Sequence, residues 1–342
     1  MATETVLEAI PEGRRAAAEM ALAEVCGRAT IDAITPVRGG ASGASIFRVE
    51  AGGRQWLLRL EAVEGPSFAF VGRAYACMQA ASDAGVAPRL RHADPDQGVA
   101  VMDFISTRPL SDFPGGPSAL VPALGALIGR VHAIEPAFGP PRAPYPAMAG
   151  HMIGALGRSA LFRPGLLDPH LEGFERVRRA YRFEGPAVSC HNDPNRQNVL
   201  FDGERLWLID WELAFANDPL IDVGILAENF APAPEAAEAL LGAWLGRAPD
   251  RALRARFALA RQLSRAFYAG VLLAGFAASP PAEPDDLAAP TVAEFTRAVA
   301  EGRLTPASPG VIYTLGKMML AGFLENLSSP EVTAALAMDG EG

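Results

Sequence analysis

The sequence contains almost no lysine: among thirty basic residues, Lys317 is the single lysine. A P-loop needs Gly-Lys-Ser/Thr after a strand, whereas no lysine precedes Lys317 here and Met318 follows it. The commonest class of nucleotide-binding loop is therefore excluded. Any phosphate-binding scheme in this chain must use arginine, backbone amides or a metal ion.

Cysteine is also scarce, and the three cysteines show no paired spacing. Cys26, Cys77 and Cys190 therefore predict neither a disulfide framework nor a cysteine-based metal site, and they fit a reducing cytoplasm. The longest apolar stretch, Ala266–Ala278, is too short to span a bilayer, and Met1–Pro11 lacks the pattern of a secretory signal. We expect a soluble, cytoplasmic protein with no membrane partner.

Positive charge is in the minority. Thirty Lys and Arg residues against 39 Asp and Glu give a net charge of −9, which argues against the broad basic surface that binding to nucleic acid requires. Nucleic acid is not an expected partner. The length of 342 residues exceeds the usual limit of one hydrophobic core. We therefore expect two lobes with the active site between them.

The hydrophobic pattern changes along the chain. In the first hundred residues, helical segments at 17–26 and 68–84 alternate with short strand-like runs, which lie at 33–37, 46–51, 55–60, 89–92 and 99–104. Beyond about residue 105 the pattern is predominantly helical. The sequence thus predicts an α+β protein with a small antiparallel-sheet N-lobe at 1–104 and a mostly helical C-lobe at 105–342.

Two polar motifs lie close together in the second half of the chain: HNDPNRQN at His191–Asn198 and WLIDWE at Trp207–Glu212. Asp193 and Asn198 are five positions apart, and Asp210 stands at the end of the next predicted strand. Transfer of a phosphoryl group needs a carboxylate near the acceptor hydroxyl and oxygen ligands that bind Mg²⁺. These three residues supply both.

The alternative interpretation is a polar loop that caps a helix or forms turns, since Asn and Asp are common there. Clustering argues against it, because three of the six asparagines lie in His191–Asn198. The segment after this loop is predicted to be a hairpin. Asp202-Gly203, a dipeptide favoured in tight turns, separates strand-like runs at 198–201 and 205–209, so the hairpin delivers Asp210 at its end.

These motifs resemble the aminoglycoside phosphotransferase and choline/ethanolamine kinase superfamily, whose catalytic loop reads His-x-Asp-x-x-x-x-Asn and whose metal aspartate lies in Ile-Asp-Phe/Tyr/Trp-Glu. The resemblance extends through DPLID at Asp218–Asp222 and is closer to the choline-kinase side. It implies a two-lobed, protein-kinase-like fold, with ATP and Mg²⁺ as cofactors. It also implies that Asp193 is the catalytic base, Asn198 and Asp210 are metal ligands, and Asp222 is a structural carboxylate.

A glycine-rich hairpin, Gly39–Ser45, precedes a strand that ends near Arg59. Small residues let backbone N–H groups approach phosphate oxygens, although a plain turn has the same composition. Arg59 shares a strand face with Leu57, and a charge on an otherwise apolar face needs an anion. The resemblance implies that Arg59 binds the nucleotide phosphates; a solvated edge arginine is the alternative. The candidate nucleotide-binding residues here are Gly40, Ser42, Gly43, Ser45 and Arg59.

The resemblance implies that backbone groups of the connector after the fifth strand, at Asp103 and Ile105, bind adenine. The sequence also departs from the family. Kinases pair the strand cation with a glutamate on the following helix, but the helix predicted at 68–84 contains no glutamate. Either Glu61 or Glu64 substitutes, or Arg59 binds phosphate without an ion-pair partner and activity is reduced or lost.

For the acceptor, Glu212 lies two residues beyond Asp210 on an extended segment, so both side chains should point the same way. In choline-type kinases a carboxylate and aromatic rings surround the quaternary ammonium, which makes Glu212 and Trp211 candidate acceptor-binding residues. Further candidates of the same residue types, for which core packing is the alternative, are Trp244, Phe267, Tyr268 and Glu228. His191 is the second candidate catalytic residue beside Asp193, and its alternative role is to shape the loop through hydrogen bonds.

We therefore predict an ATP-dependent phosphotransferase that moves the γ-phosphoryl group to a hydroxyl of a small, amino-bearing or cationic alcohol. One alternative is an aminoglycoside or other antibiotic phosphotransferase, which an unusually acidic C-terminal pocket would favour. A second alternative is a nucleotide-binding pseudokinase, for which the absent helix glutamate is the argument. The sequence contains no signal for the oligomeric state.

Overall fold

A computed structural model of the chain describes residues 7–27, 29–37, 43–62, 70–140, 143–183, 185–305 and 308–338. The chain divides into two compact units. The sheet unit comprises Met1–Gly139 and Val188–Ala216, and the helical unit comprises Pro140–Ala187 and Asn217–Gly342. The residues that carry the two polar motifs belong to the sheet unit.

The sheet unit contains a five-stranded antiparallel sheet with the order β1-β2-β3-β5-β4. Its strands are β1 (Ile31–Pro36), β2 (Ser45–Ala51), β3 (Arg54–Leu60), β4 (Leu90–Asp94) and β5 (Val99–Asp103). Helix α1 (Arg15–Cys26) precedes β1, and helix α2 (Val71–Asp83) lies between β3 and β4.

Side-chain alternation explains the core of this sheet. Along β2 the side chains of Phe47, Val49 and Ala51 are buried, and their cross-strand neighbours on β3 include Trp56 and Leu58. Together with residues of α1 they form one apolar cluster. Trp56 and Leu58 thus face the core, and Arg59 lies on the opposite face of β3.

The rest of the sheet unit carries the polar motifs. Helix α3 (Gly116–His132) is followed by the short strands β6 (Val188–Cys190), β7 (Val199–Phe201) and β8 (Leu206–Leu208) and by β9, Phe215–Asn217, which begins in this unit. β7 and β8 form the predicted hairpin. Asp202 closes its turn, because Oδ1 accepts from the backbone N–H groups of Glu204 and Arg205 at 2.8 Å each, and Gly203 adopts a φ of 103°.

The helical unit contains α4 (Tyr145–Arg158), α5 (Asp168–Ala180), α6 (Pro219–Phe230), α7 (Pro234–Leu245), α8 (Arg251–Ala278), α9 (Val292–Ala300), α10 (Pro309–Leu327) and α11 (Pro330–Met338). The long helix α8 packs against α4, α6 and α10. A glycine permits the closest approach: a Cβ atom at Gly270 would lie 2.5 Å from Cβ of Met152 on α4.

The α+β prediction is confirmed, and each of the five predicted strands has a counterpart in the sheet within a few residues. The short strands β6 and β9 were not predicted, because no turn dipeptide marks them as Asp202-Gly203 marks the equally short β7 and β8. The division into a nucleotide-binding lobe at 1–104 and an acceptor-binding lobe at 105–342 stays a prediction. In the described part of the chain, every helix is too short or too polar to cross a membrane.

Candidate active site

His191 opens the catalytic loop directly after β6 and is completely buried. Its Nε2 donates to the carbonyl oxygen of Ile209 at 2.9 Å, and its Nδ1 accepts from the backbone N–H of Asp193 at 3.3 Å. The imidazole ring also lies against Trp211, with 4.6 Å between the ring centroids. His191 therefore fixes the loop to the segment that leads into Asp210, which is a positioning role.

Asn192 is a support residue that the sequence motif alone did not identify. Its φ of 64° lies in the left-handed region, where asparagine is tolerated better than most residues. Its buried Nδ2 donates to the carbonyl oxygens of Leu213 and Phe215 at 3.0 and 3.2 Å. These bonds join the catalytic loop to the segment that follows Asp210.

Asp193 and Asn198, five residues apart in the sequence, are in direct contact. Asn198 Nδ2 donates to the backbone oxygen of Asp193 at 2.8 Å and to its Oδ2 at 3.0 Å. Asn195 Nδ2 donates to the other carboxylate oxygen at 2.8 Å. Because the amide nitrogen of Asn198 is used inside the loop, its amide oxygen is the atom suited to bind a cation.

Arg59 is buried at the end of β3 and contacts three carboxylates. Its Nε lies 2.5 Å from Oε1 of Glu61. Nη1 lies 3.4 Å from Asp210 Oδ1, and Nη2 lies 3.4 Å from Glu212 Oε2. Burial by itself lowers the pKa of Arg59, but the carboxylates, Glu61 first, outweigh burial and raise it. The predicted phosphate-binding cation thus lies beside the predicted metal-binding aspartate.

Asp210 follows the hairpin with a φ of 66°, the left-handed conformation that costs a non-glycine residue free energy. Strained backbone of this kind is found where a side chain must be aimed at a site. Glu212 is more open, with 45% of its side chain exposed. Partial burial raises the pKa of Glu212, and the charge of Asp210 raises it further.

Trp211, between these two carboxylates, is 1% exposed. Its Nε1 donates to the carbonyl oxygen of Leu208 at 3.3 Å, and its ring meets Phe138 edge-on. Burial among protein groups does not favour the acceptor contact predicted from the sequence. We interpret Trp211 as a packing residue that supports His191 from behind the loop.

The structure describes only some of the residues predicted to bind nucleotide in the glycine-rich hairpin. Gly40 and Ser42 lie outside the described residues, whereas Gly43 precedes β2 and Ser45 begins it, opposite Leu60. In the connector, Asp103 receives two hydrogen bonds from Arg91, at 2.7 and 2.8 Å.

The connector's own backbone groups differ in their availability. The N–H groups of Asp103 and Phe104 donate to the carbonyl oxygens of Arg89 and Gln55. The N–H of Ile105 has no backbone acceptor in the part of the chain that the structure describes. The adenine contact of Asp103 and Ile105 stays a prediction.

A cavity of about 790 Å³ lies against the connector but contains none of the catalytic-loop residues. Its wall includes Asp103 and Ile105 together with residues from the end of α2, among them Ser82. Because Arg59, Asp193 and Asp210 do not line this cavity, we assign it no part in the chemistry.

Several carboxylates lie close together in the site. Glu212 interacts electrostatically with Asp193, Asp210 and Glu61, and Arg59 contacts Glu61, Asp210 and Glu212. An excess of carboxylate oxygens, together with the Asn198 amide oxygen, matches the ligand preference of Mg²⁺. The donor set therefore fits the divalent cation that the sequence motif implied.

Comparisons with known proteins are consistent with this geometry. The model of the phosphotransferase enzyme family matches residues 33–259, more than half of the chain. Protein LicA of Haemophilus influenzae (strain ATCC 51907 / DSM 11121 / KW20 / Rd) is 44% identical over 52 residues, which make up 15% of this chain and 20% of that protein. The match thus spans about a fifth of the length of this curated relative.

Solved structures extend the likeness to the whole fold. A choline/ethanolamine kinase family protein from Mesorhizobium loti superposes with a TM-score of 0.65 at 23% identity, covering 90% of this chain and 92% of that one. The macrolide 2′-phosphotransferase MphH from Brachybacterium faecium superposes with a TM-score of 0.54 at 19% identity, covering 80% and 100%. At identities this low, the structural likeness establishes a shared fold and no more. The predicted kinase-like architecture is thereby confirmed.

Proposed function

The chain belongs to the phosphotransferase enzyme family, and from this premise we propose that it transfers the γ-phosphoryl group of ATP to the hydroxyl of a small, amino-bearing or cationic alcohol. Family and fold identify a small-molecule kinase. The observation that carries the proposal is that two contacts, Asp193 with Asn198 and Arg59 with Asp210, lie in the same compact unit.

In the proposed reaction Asp193 orients the acceptor hydroxyl and takes its proton as the bond to phosphorus forms. The hydroxyl oxygen attacks the γ-phosphorus, the bond from that phosphorus to the bridging oxygen breaks, and ADP leaves with the electron pair. Asn195 and Asn198 hold the Asp193 carboxylate at both oxygens. Orientation of this kind removes much of the entropy barrier of a bimolecular step.

Asn198 and Asp210 are the proposed ligands of Mg²⁺. Such an ion would neutralise charge on the nucleotide phosphates and orient them. Arg59 would bind phosphate oxygens through its two terminal nitrogens, which now contact Asp210 and Glu212 only at 3.4 Å. Bidentate geometry suits an arginine, and it makes the chain independent of a phosphate-binding lysine.

The acceptor class follows from charge. Glu212 is half-exposed beside Asp210. Burial raises the pKa of Glu212, the charge of Asp210 raises it further, and a cationic group near Glu212 would relieve that repulsion. Glu228 of the helical unit is not available for this purpose, because Arg261 and Arg265 approach its two oxygens at 2.5 and 2.7 Å. The half-exposed Glu212 carboxylate can pair with one cationic group, which supports a monocationic acceptor.

The test is ADP release by the purified chain with Mg·ATP and a panel of acceptors. Choline, ethanolamine and the uncharged choline analogue 3,3-dimethyl-1-butanol form the matched series, and an aminoglycoside and a macrolide test the antibiotic alternative. We expect turnover with a cationic alcohol and at least about tenfold lower kcat/KM with the neutral analogue, the range of cation recognition at a partly desolvated site. Equal kcat/KM values for choline and the neutral analogue would contradict the proposal that the acceptor is cationic.

Two other results would redirect the assignment. Turnover confined to an antibiotic would replace the amino alcohol as substrate. ATP binding without turnover on any acceptor would favour the pseudokinase alternative.

We also propose a cytoplasmic location, because Cys26, Cys77 and Cys190 are all free thiols.

A further inference from the structure

Helix α2 offers no carboxylate to Arg59. The sole acidic residue within α2 is Asp83, at its last position. The side chain of Tyr75, on α2, is 3% exposed, and its hydroxyl has no hydrogen-bond partner among the described residues. The helix therefore contributes a buried phenol and no acid near Arg59.

Glu61 supplies the carboxylate instead, from the strand side. It follows β3 directly, and its backbone N–H donates to the carbonyl oxygen of Gly98 at 2.8 Å, ahead of β5. Its Oε1 lies 2.5 Å from Nε of Arg59, and the two side chains are only 14% and 9% exposed. Cation and partner are thus both fixed to the sheet.

The geometry divides the guanidinium into two functional ends. Nε is held at 2.5 Å by Glu61, whereas Nη1 and Nη2 make only 3.4 Å contacts to the acidic side of the site. A guanidinium can be anchored through Nε and still present two donors in one plane, and an ammonium cannot. This explains why an arginine suits an anchor located on its own strand.

Tyr75 lies beside this pair. Burial raises the pKa of Tyr75, and the negative charge of Glu61 raises it further, whereas the charge of Arg59 lowers it. A neutral phenol packs there without competing for the guanidinium.

We propose that Glu61 is the positioning residue for the phosphate-binding Arg59, and that it replaces the glutamate that kinases carry on the helix. The inference rests on the proposed function of Arg59. In kinases the position of that helix controls the ion pair. Here the pair is formed within the sheet, so movement of α2 does not break it, and the phosphate-binding group is assembled before nucleotide arrives.

A double-mutant cycle on Arg59 and Glu61 tests this, with Mg·ATP affinity measured by calorimetry in the full chain. Glu61→Gln should weaken binding about tenfold in the wild-type background, near the lower range for one charge-assisted hydrogen bond. In the Arg59→Ala background it should have less than about a twofold effect, because it acts through Arg59. Equal losses in both backgrounds, or no loss in the wild type, would overturn the proposal.

Two controls separate positioning from general damage. Glu50→Gln removes the partner of Arg48 at 2.6 Å on the neighbouring strand, where both side chains are more than a third exposed, and it should leave affinity unchanged. Glu61→Asp keeps the charge on a shorter side chain and should fall between Glu61→Gln and wild type. An affinity as low as that of Glu61→Gln would contradict a role for the charge.

The same cycle measured by thermal unfolding needs no nucleotide. Arg59→Ala and Glu61→Gln should be strongly non-additive, because a buried guanidinium without its partner is destabilising and its removal relieves that cost. Additive effects would overturn the pair even if ATP does not bind. Failure of the wild type to bind Mg·ATP, with non-additive unfolding, would instead remove the proposed function and leave the ion pair in place.

Discussion

His191 Nε2 lies 2.9 Å from the carbonyl oxygen of Ile209, the residue before Asp210. This one bond joins the start of the catalytic loop to the end of the hairpin, which are eighteen residues apart in the chain. The backbone N–H of Asp193 donates to the other nitrogen of the same ring. A single buried imidazole therefore sets the spacing between the proposed base and the proposed metal ligand.

Asp193→Asn should lower kcat by about a hundredfold or more, the contribution typical of general-base catalysis, with little change in Mg·ATP affinity. The change preserves the shape of the side chain but replaces one acceptor oxygen by an NH2 donor that faces Asn195 or Asn198, so the free energy of unfolding should fall by about 1 to 2 kcal/mol while the protein stays folded. Steady-state ADP release and nucleotide calorimetry measure the two effects. Asp96→Asn, on the exposed turn between β4 and β5, is the control. Wild-type kcat in Asp193→Asn would refute the base.

Asp218→Ala should cost about 3 kcal/mol or more of unfolding free energy. The buried Asp218 carboxylate caps α6 through Leu220 N–H at 2.9 Å and also accepts from Tyr181 Oη at 2.6 Å and Arg256 Nη2 at 2.7 Å. Its removal takes away the acceptor of three hydrogen bonds, one of which comes from a cation. Denaturant unfolding measures the loss.

Asp250→Ala is the matched comparison for that change. Asp250 caps α8 through Leu253 N–H at 2.8 Å but is exposed. Loss of a simple exposed cap costs about 1 kcal/mol. If the two alanine variants lose equal stability, the ion pair and the phenol contact at Asp218 contribute nothing.

Local patterns in the sequence predicted much of this fold because they are dictated by local physics. The alternation along β2 and β3 and the Asp202-Gly203 turn each follow from a few neighbouring residues. Contacts between distant segments are a different matter. That Arg59 lies beside Asp210 depends on how β3 and the hairpin pack, 151 residues apart. The motif could nominate both residues but could not give the contact.

Two residue roles show the same limit. Trp211 was a reasonable acceptor-binding candidate by residue type, but only packing shows that its ring is covered by Phe138 and His191. Glu61 and Glu64 were the two possible partners that the sequence offered for Arg59. No sequence periodicity shows that the carboxylate at the end of β3 contacts an arginine two residues earlier on the same strand. The sequence did not predict the left-handed φ of Asn192 either, since asparagine also occupies ordinary turns.

Asp210→Asn and Asp210→Ala should both weaken Mg·ATP binding by at least about tenfold, because each removes the proposed anionic ligand of the ion. They should differ in stability. Asparagine tolerates the left-handed backbone of residue 210, whereas alanine there costs about 1 kcal/mol. Calorimetry with and without Mg²⁺ and thermal unfolding separate the two effects. Unchanged Mg·ATP affinity in Asp210→Asn would refute the metal role.

His170 should make the protein less stable in mild acid. Burial lowers the pKa of His170, although its hydrogen bond to the carbonyl oxygen of Leu320 at 3.2 Å partly opposes this. The unfolded chain therefore binds the proton more readily. Stability falls as the pH drops from the ordinary histidine pKa toward the lowered one, by at most about 1.4 kcal/mol per pH unit.

His170→Gln should remove this component, so that the variant loses less stability than wild type between pH 7.5 and 5.5. His151→Gln, on the exposed surface of α4, should follow the wild-type curve. Unfolding free energies at the two pH values measure the difference. Parallel curves for wild type and His170→Gln would show that this histidine does not cause the acid sensitivity.

Arg59→Lys should be a damaging change, although it conserves charge. The guanidinium faces Glu61 through Nε and Asp210 and Glu212 through its two terminal nitrogens, and one ammonium cannot serve all three directions. Mg·ATP affinity should fall at least about tenfold in Arg59→Lys and further in Arg59→Ala. Arg48→Lys, whose parent side chain pairs with Glu50 on the partly exposed face of β2, should bind nucleotide like wild type. A nucleotide-bound structure decides the point directly: with Nη1 or Nη2 within hydrogen-bonding distance of a phosphate oxygen the role stands, and with every phosphate beyond that distance Arg59 is only a structural partner of the surrounding carboxylates.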